Sequence, residues 1–266
     1  MKKFGIGIVI IICILSIAGC GNMFHFIKNG KTRGISITFE DFGEMIDFET
    51  GLGDFSKIDV DLSIGDLSIV AGDGYSLKYR YPEKLQPEYE VKDGTLVVKT
   101  KTENKISVSD DISEKTYLTI TVPTGTEFKD VKLDDSMGDI TVRGVNSAKL
   151  VIEDSMGDVS VSEASFGTIS IDDSMGDIKV TDVKADELKG AASMGDFEIE
   201  TSDIAKVKWD SSMGKITLKG TFVNLELEDS MGDIKVDSES AWTGKLETSM
   251  GDIVVNGAKK GDSYSQ

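Results

Sequence analysis

The sequence is short of the residues that carry most polar catalysis and most nucleic-acid binding. Its 266 residues include one histidine, His25. Arginine occurs at Arg33, Arg80 and Arg143 only. A serine nucleophile would need a base, and no histidine accompanies the recurring serines described below. Positive charge is outnumbered, with 47 acids against 29 lysines and arginines and a formal net charge of -18. Such a surface repels nucleic acid and anionic headgroups, whose binding relies on dense Lys and Arg. Charged partners should therefore be cationic: metal ions, basic peptides or basic wall components. A solvated, non-aggregating surface is the simpler reading of the same charge. Cysteine is equally scarce. Cys13 lies in the apolar N-terminal segment, so loss of that segment leaves Cys20 alone and no disulfide within the chain.

What is present begins with a targeting pattern over residues 1–19. Lys2 and Lys3 form a positive n-region, and Phe4 to Ile17 form an apolar run too short for a comfortable membrane span. The phrase Ile17-Ala18-Gly19-Cys20 resembles the lipobox of bacterial lipoproteins. That resemblance implies diacylglyceration of the Cys20 sulfur and a mature chain beginning there. A retained helix anchor is the competing reading, since Met23, Phe24, Phe26 and Ile27 extend the apolar stretch while Gly21, Asn22 and His25 interrupt it. Both readings place the remaining chain outside the cytoplasmic membrane, anchored to it.

Residues 20–57 read as a lipid-anchored tether and a lead-in segment with a strand and a short helical turn. Alternation starts at Ile58-Asp59-Val60-Asp61-Leu62, and Ile64-Gly65-Asp66-Leu67 looks like a degenerate copy of a later phrase. Residues 58–130 are expected to form an irregular, antiparallel β cap, because the terminal repeats of an array are atypical. Residues 258–266 read as a polar tail without a strong cap.

Between them, over 131–257, Ser-Met-Gly-Asp-Ile and its near copies recur. They begin at Ser136, Ser155, Ser174, Ser193, Ser212, Ser230 and Ser249, spaced by 19 residues apart from one gap of 18. Seven positions before each glycine stand Val131, Leu150, Ile169, Leu188, Val207 and Leu225, with Gly244 the exception. Two after it stand Ile140, Val159, Ile178, Phe197, Ile216, Ile234 and Ile253. The positions five before and four after the glycine are also mainly apolar, so each arm has period-two spacing and one buried face. A coil of 19 residues without helical periodicity must stack strand on strand in parallel. The expected fold is all-β: a parallel β-solenoid, or β-helix, of about seven 19-residue coils.

These copies, the lead-in Leu62 to Leu67, and the strand Leu118 to Val122 before Pro123 and Gly125 together resemble one family. It is the bacterial "putative adhesin" family of β-strand-repeat envelope proteins, over about residues 58–257. The resemblance implies the solenoid fold and an envelope location, and some members resemble surface components of the response to cationic antimicrobial peptides. It implies no catalytic residue.

Read as columns, the repeat offers little chemistry. Asp139, Asp158 and Asp177, with Asp196, Asp233 and Asp252, follow the glycine and are the candidates for Ca²⁺, although the Gly-Gly-x-Gly-x-Asp pattern of calcium-binding β-rolls is missing. A solvated turn column is the favoured reading, so no metal or cofactor is assigned. The serines suit hydrogen bonds to neighbouring turns. The methionines read as core filler at a corner, with copper ligation the lesser alternative. The fourth and fifth coils break the pattern at Gly190, Ala191, Ala192, Trp209 and Lys215. Trp209 is expected to lean over the gap at Gly190, and this seam is the candidate docking site for a partner or a second copy.

The leading expectation is a non-catalytic envelope lipoprotein whose acidic solenoid acts as an adhesin-like scaffold, held at the membrane by its lipid and free to bind envelope proteins. An envelope-stress component that binds cationic peptides is the alternative. A polysaccharide-active enzyme is the remote one, since the columns are uniform and no coil carries a distinctive catalytic cluster.

Overall fold

The apolar columns close a continuous core. Val131, Leu150, Ile169, Leu188, Val207 and Leu225 are all inaccessible to solvent, and Ile140, Ile178, Phe197, Ile216, Ile234 and Ile253 are exposed by 1% or less. Burying side chains of this size contributes about 1.5–3 kcal/mol each before the entropy of ordering the chain is set against it. Parallel pairing aligns the columns residue for residue: Val131 with Leu150, Leu150 with Ile169, Ile169 with Leu188, Leu188 with Val207 and Val207 with Leu225. The result is a parallel β-solenoid. Its central coils run almost unbroken as Val159–Met175, Ile178–Met194, Phe197–Met213 and Ile216–Met231.

The computed structural model describes residues 24–28, 31–35, 42–100 and 116–266. Residues 1–40 and 41–266 are separate compact units. The first contains an antiparallel hairpin of Phe24–Lys28 with Lys31–Ile35, which replaces the expected unstructured tether there. Cys20, the apolar segment before it and the lipoprotein expectation lie outside the described residues. Among the described residues no helix is long and apolar enough to cross a membrane.

In the second unit, parallel stacking starts well before residue 131. Lys57–Leu62 pairs with Asp130–Asp135, and Asp66–Gly72 pairs with Ile140–Arg143. Leu62 to Leu67 is therefore a full member of the array. On its other side lie Thr95–Thr100 and Tyr117–Pro123, also parallel. The first coil in the chain is thus an inner layer, and a later segment stacks outside it.

That outer end is covered by antiparallel strands. Met45–Gly51 pairs with Ser76–Pro82, whose residues 76–80 also pair with the Tyr117–Pro123 strand. The lead-in segment thus carries a cap strand at 45–51 in place of a helical turn. Phe48 stacks on Tyr79 at 4.9 Å between ring centroids, and the fully buried Tyr81 donates its hydroxyl hydrogen to the Ile64 carbonyl at 2.6 Å.

The opposite end is capped too, which corrects the expectation of a free polar tail. Ala258–Gly261 folds back antiparallel on Ile253–Val255, and Ser263–Ser265 lies antiparallel on Thr243–Thr248. Reversing direction lets a short hairpin occupy an edge that could otherwise pair with another chain. Tyr264 packs edge-on against the buried Trp242.

The irregular coils behave as their residue sizes require. Gly190 pairs with Trp209, whose buried indole stacks on Phe197 with 3.8 Å between centroids. A Cβ on Gly190 would lie 2.8 Å from Trp209 Cζ3 and would overlap the Ile171 carbonyl. Gly190→Leu is therefore expected to destabilise by about 1–3 kcal/mol, the usual range for overpacking. Urea unfolding checks this: a lower midpoint is expected, and an unchanged one contradicts the large-for-small packing.

Candidate functional site

The corner phrase builds the most regular surface of the molecule. From coil to coil the corner glycine donates its N–H to the next methionine carbonyl: Gly138 to Met156 at 2.9 Å, Gly157 to Met175, Gly176 to Met194 and Gly195 to Met213 at 3.1 Å, and Gly214 to Met231 at 3.4 Å. A Cβ on Gly157, Gly176, Gly195 or Gly214 would overlap the carbonyl of the glycine one coil below. Gly195 and Gly214 also hold φ of +133° and +139°, in the region that favours glycine.

The aspartates that follow the glycines form a hydrogen-bonded ladder. The Asp158 N–H donates to Asp139 Oδ1 at 2.9 Å. The Asp177, Asp196 and Lys215 N–H groups donate to the aspartate one coil below, each at 2.8 Å. The ladder starts one coil earlier, where the Asp139 N–H meets Asp66 Oδ1 at 3.1 Å, and it resumes with the Asp252 N–H and Asp233 Oδ1 at 2.8 Å. These carboxylates are exposed but not merely wet. Each amide dipole lies between successive negative charges and offsets part of their repulsion. Asp139, Asp158 and Asp177 consequently spend one oxygen each on the backbone. Among the described residues no group of three or more His, Cys, Asp or Glu side chains is arranged to hold a metal ion.

A second aspartate column faces the other way. Asp135, Asp154, Asp173 and Asp229 stand three residues before the glycine and are at most 5% exposed. Their Oδ1 atoms accept the N–H of the methionine two residues on, at 3.0–3.3 Å, while their Oδ2 atoms are buried without a partner. Desolvation dominates there. It pushes Asp135 up to about 8, Asp154 to about 7 and Asp173 to about 6, against the opposing pull of the turn amides, with neighbouring carboxylates adding to the rise. In the last coil Thr248 replaces the acid and donates its hydroxyl hydrogen to the Gly232 carbonyl at 2.9 Å. A protonated carboxyl has the same donor to offer. The inward phase is visible in sequence, because this position continues the alternation of the columns seven and five before the glycine.

Two other expectations for the corner are overturned. The serine side chains are exposed and tie no coil to the next; the carboxylates do that. The methionines are not core filler either. Met156, Met175, Met194, Met213, Met231 and Met250 are exposed by 38–64%. They stand one residue before the glycine, where the alternation of the columns seven, five and three before it points inward, but the turn there carries the side chain into solvent.

The proposed seam is split by burial. Trp209 is interior and Gly190 pairs with it along the inward column, so these two do not form an outer surface; Ala191 and Lys215 lie outside. Ala191 and the mostly buried Ala192 line one end of a concavity that runs along the serine and acid columns of coils four to seven. It is a shallow groove of about 840 Å³, lined among others by Ser212, Ser230, Ser249, Glu228 and Glu247 and ended by Asp262. Sequence alone does not signal this groove, because the hairpin that ends it has the composition of a polar tail.

Comparison with known proteins follows the fold. A family model described as Toastrack DUF4097 matches residues 55–265. A crystal structure of a "putative adhesin" from Bacteroides fragilis aligns with a TM-score of 0.55 at 21% identity, covering 80% of this chain and 96% of that one. A "putative lipid binding protein" from Parabacteroides distasonis aligns with a TM-score of 0.45 at 19% identity, over 81% and 96% of the two chains. Among proteins of curated function, none matches.

The buried carboxyl column makes stability depend on pH. A carboxyl whose folded pKa lies above its unfolded value stabilises fully below about pH 4, where both states are protonated, and loses that contribution as pH rises toward the folded value. For Asp173, Asp154 and Asp135 the loss extends through about 6, 7 and 8 respectively. The melting temperature should fall between pH 5 and pH 9, by about 2–4 °C for each kcal/mol lost. Asp154→Asn keeps an acceptor for the Met156 N–H and adds a neutral donor, so it should flatten part of the fall and exceed the wild type at pH 9. A melting temperature that rises across this window contradicts the assignment.

Proposed function

The chain belongs to the Toastrack DUF4097 family, and on that premise we propose that it is a non-catalytic binding scaffold of the cell envelope, adhesin-like in its mode of action. The observation that carries this reading is the uniformity of the outer surface. Corner side chains repeat in register from coil to coil, so the molecule offers one chemical pattern many times along a rigid axis. Repetition of that kind suits avidity toward an extended or repetitive partner, in which many weak contacts add. The expected location is outside the cytoplasmic membrane, held by a lipid on Cys20, and the expected partners are envelope proteins.

A second reading, engagement of cationic peptides during envelope stress, draws support from the groove of coils four to seven, where Asp210, Glu228 and Glu247 stand in one column. Exposed carboxylates attract cationic partners over roughly 8–10 Å at moderate salt, and added salt screens that attraction. The two readings separate in a capture experiment from envelope extract with the immobilised full chain. Retention that persists at high salt is expected for adhesive contact, and release at high salt for a cationic partner. Retention of nothing at either salt contradicts the scaffold reading. In the cationic case, Asp210→Asn, Glu228→Gln and Glu247→Gln together should weaken capture by about tenfold or more, since loss of 1.4 kcal/mol is a factor of ten.

A further inference from the structure

We infer that the methionine column is a binding site for soft monovalent metal ions of the Cu(I) and Ag(I) class, held between the thioethers of successive coils. Seven methionines, Met137, Met156, Met175, Met194, Met213, Met231 and Met250, occupy the same corner position. Parallel register pairs Met175 with Met194, Met194 with Met213 and Met213 with Met231. Backbones in such a ladder are about 4.8 Å apart. Flexible side chains from adjacent rungs can therefore bring their sulfurs to one ion.

The backbone of Met156 and Met175 is fixed on both sides: each donates its N–H to a buried aspartate of its own coil, at 3.3 and 3.0 Å, and each carbonyl accepts the glycine N–H of the coil below, at 2.9 and 3.1 Å. The Met194 carbonyl likewise accepts the Gly176 N–H at 3.1 Å. Only the thioether is left to vary, and it faces solvent.

Packing does not account for the choice of residue. The position is 38–64% exposed in six of the coils, so a core requirement for an apolar group is absent. Neighbouring columns change where methionine does not. Coil four loses both upstream acids to Ala191 and Ala192 and keeps Met194, and coil five replaces its aspartate with Lys215 and keeps Met213. Leucine or valine would cover the corner as well as methionine; what methionine adds is a soft, polarisable sulfur.

The surrounding charge favours a cation and the donor set favours a soft one. Asp158, Asp177 and Asp196 stand two residues beyond Met156, Met175 and Met194 and supply negative potential. Each has Oδ1 engaged by the next coil's N–H, which removes it from a cage for a hard ion such as Ca²⁺. Lys215 follows Met213 by two residues and opposes a cation there. The strongest site is therefore on Met156, Met175 and Met194.

The test uses the full chain in detergent, with Cys13→Ser and Cys20→Ser to remove thiol ligands, and ¹³C-methyl methionine NMR during titration with Ag(I). Saturable shifts of the Met156, Met175 and Met194 methyls are expected, with the Met45 methyl unmoved. Replacing those three by leucine conserves apolar surface and volume. That variant should keep its circular dichroism and melting temperature and bind Ag(I) at least about tenfold more weakly, a loss of roughly 1.4 kcal/mol. Absence of shifts, shifts that include Met45 and grow linearly without saturation, or undiminished binding by the leucine variant would each overturn the inference.

Discussion

The structure depends on a corner that has no room for a Cβ. Where the chain turns, the glycine of one coil lies against the glycine carbonyl of the coil below, and a side chain on Gly157, Gly176, Gly195 or Gly214 would occupy that oxygen's place. Close approach sets the register. Once glycine must sit on glycine, each apolar column stacks on itself, as Ile178 on Phe197 and Phe197 on Ile216, and methionine stacks on methionine. A slip of one residue would put every buried column in water and every charged column in the core.

Within that register, two aspartate columns four residues apart have opposite fates. The outer one accepts backbone N–H groups across coils and so turns a line of like charges into a ladder. The inner one lies in the core's own phase, is desolvated and is held toward its neutral form. Elsewhere on the surface, lysines bridge coils: Lys179 reaches Glu198 and Glu200 at 3.1 and 3.0 Å, and Lys219 reaches Glu200 at 3.3 Å. Such exposed pairs contribute little individually, typically about 0–1 kcal/mol. Their consequence is distribution of charge: a chain of net charge -18 can stack its coils because much of its acid is paired, neutral or bonded to amides.

Much of the fold is legible from the repeat, because the positions at minus seven, minus five, plus two and plus four from the glycine alternate cleanly. The degenerate phrase at Ile64-Gly65-Asp66-Leu67 also identifies a coil, and Trp209 beside Gly190 follows from size alone. What is not legible turns on phase and long-range pairing. Asp135, Asp154 and Asp173 are charged by type and inward by phase, and residue type is the misleading cue. Met156 and its partners are apolar by type and inward by the upstream alternation, and only the turn carries them outward. The C-terminal hairpin could not be read from Gly257, Lys259 and Lys260, since an antiparallel return is specified by the edge it covers rather than by its own polar sequence. The order of the first layers, with 95–100 and 117–123 stacked outside 57–62 and 66–72, likewise depends on pairings distant in the chain.

The central claim is that the corner is a hydrogen-bonded scaffold in which the outer aspartates Asp66, Asp139, Asp158, Asp177, Asp196 and Asp233 each hold the amide one coil above. Lys215 supplies a built-in break, because its side chain has no acceptor for the Asp233 N–H. Residue-resolved amide hydrogen exchange on the native chain tests this most directly. Slow exchange is expected at Asp158, Asp177, Asp196, Lys215 and Asp252, with fast exchange at Asp233, and Lys215→Asp should slow Asp233 to match its neighbours. Equal protection of Asp233 and Asp196 in the wild type, or no gain at Asp233 in the variant, would contradict the account.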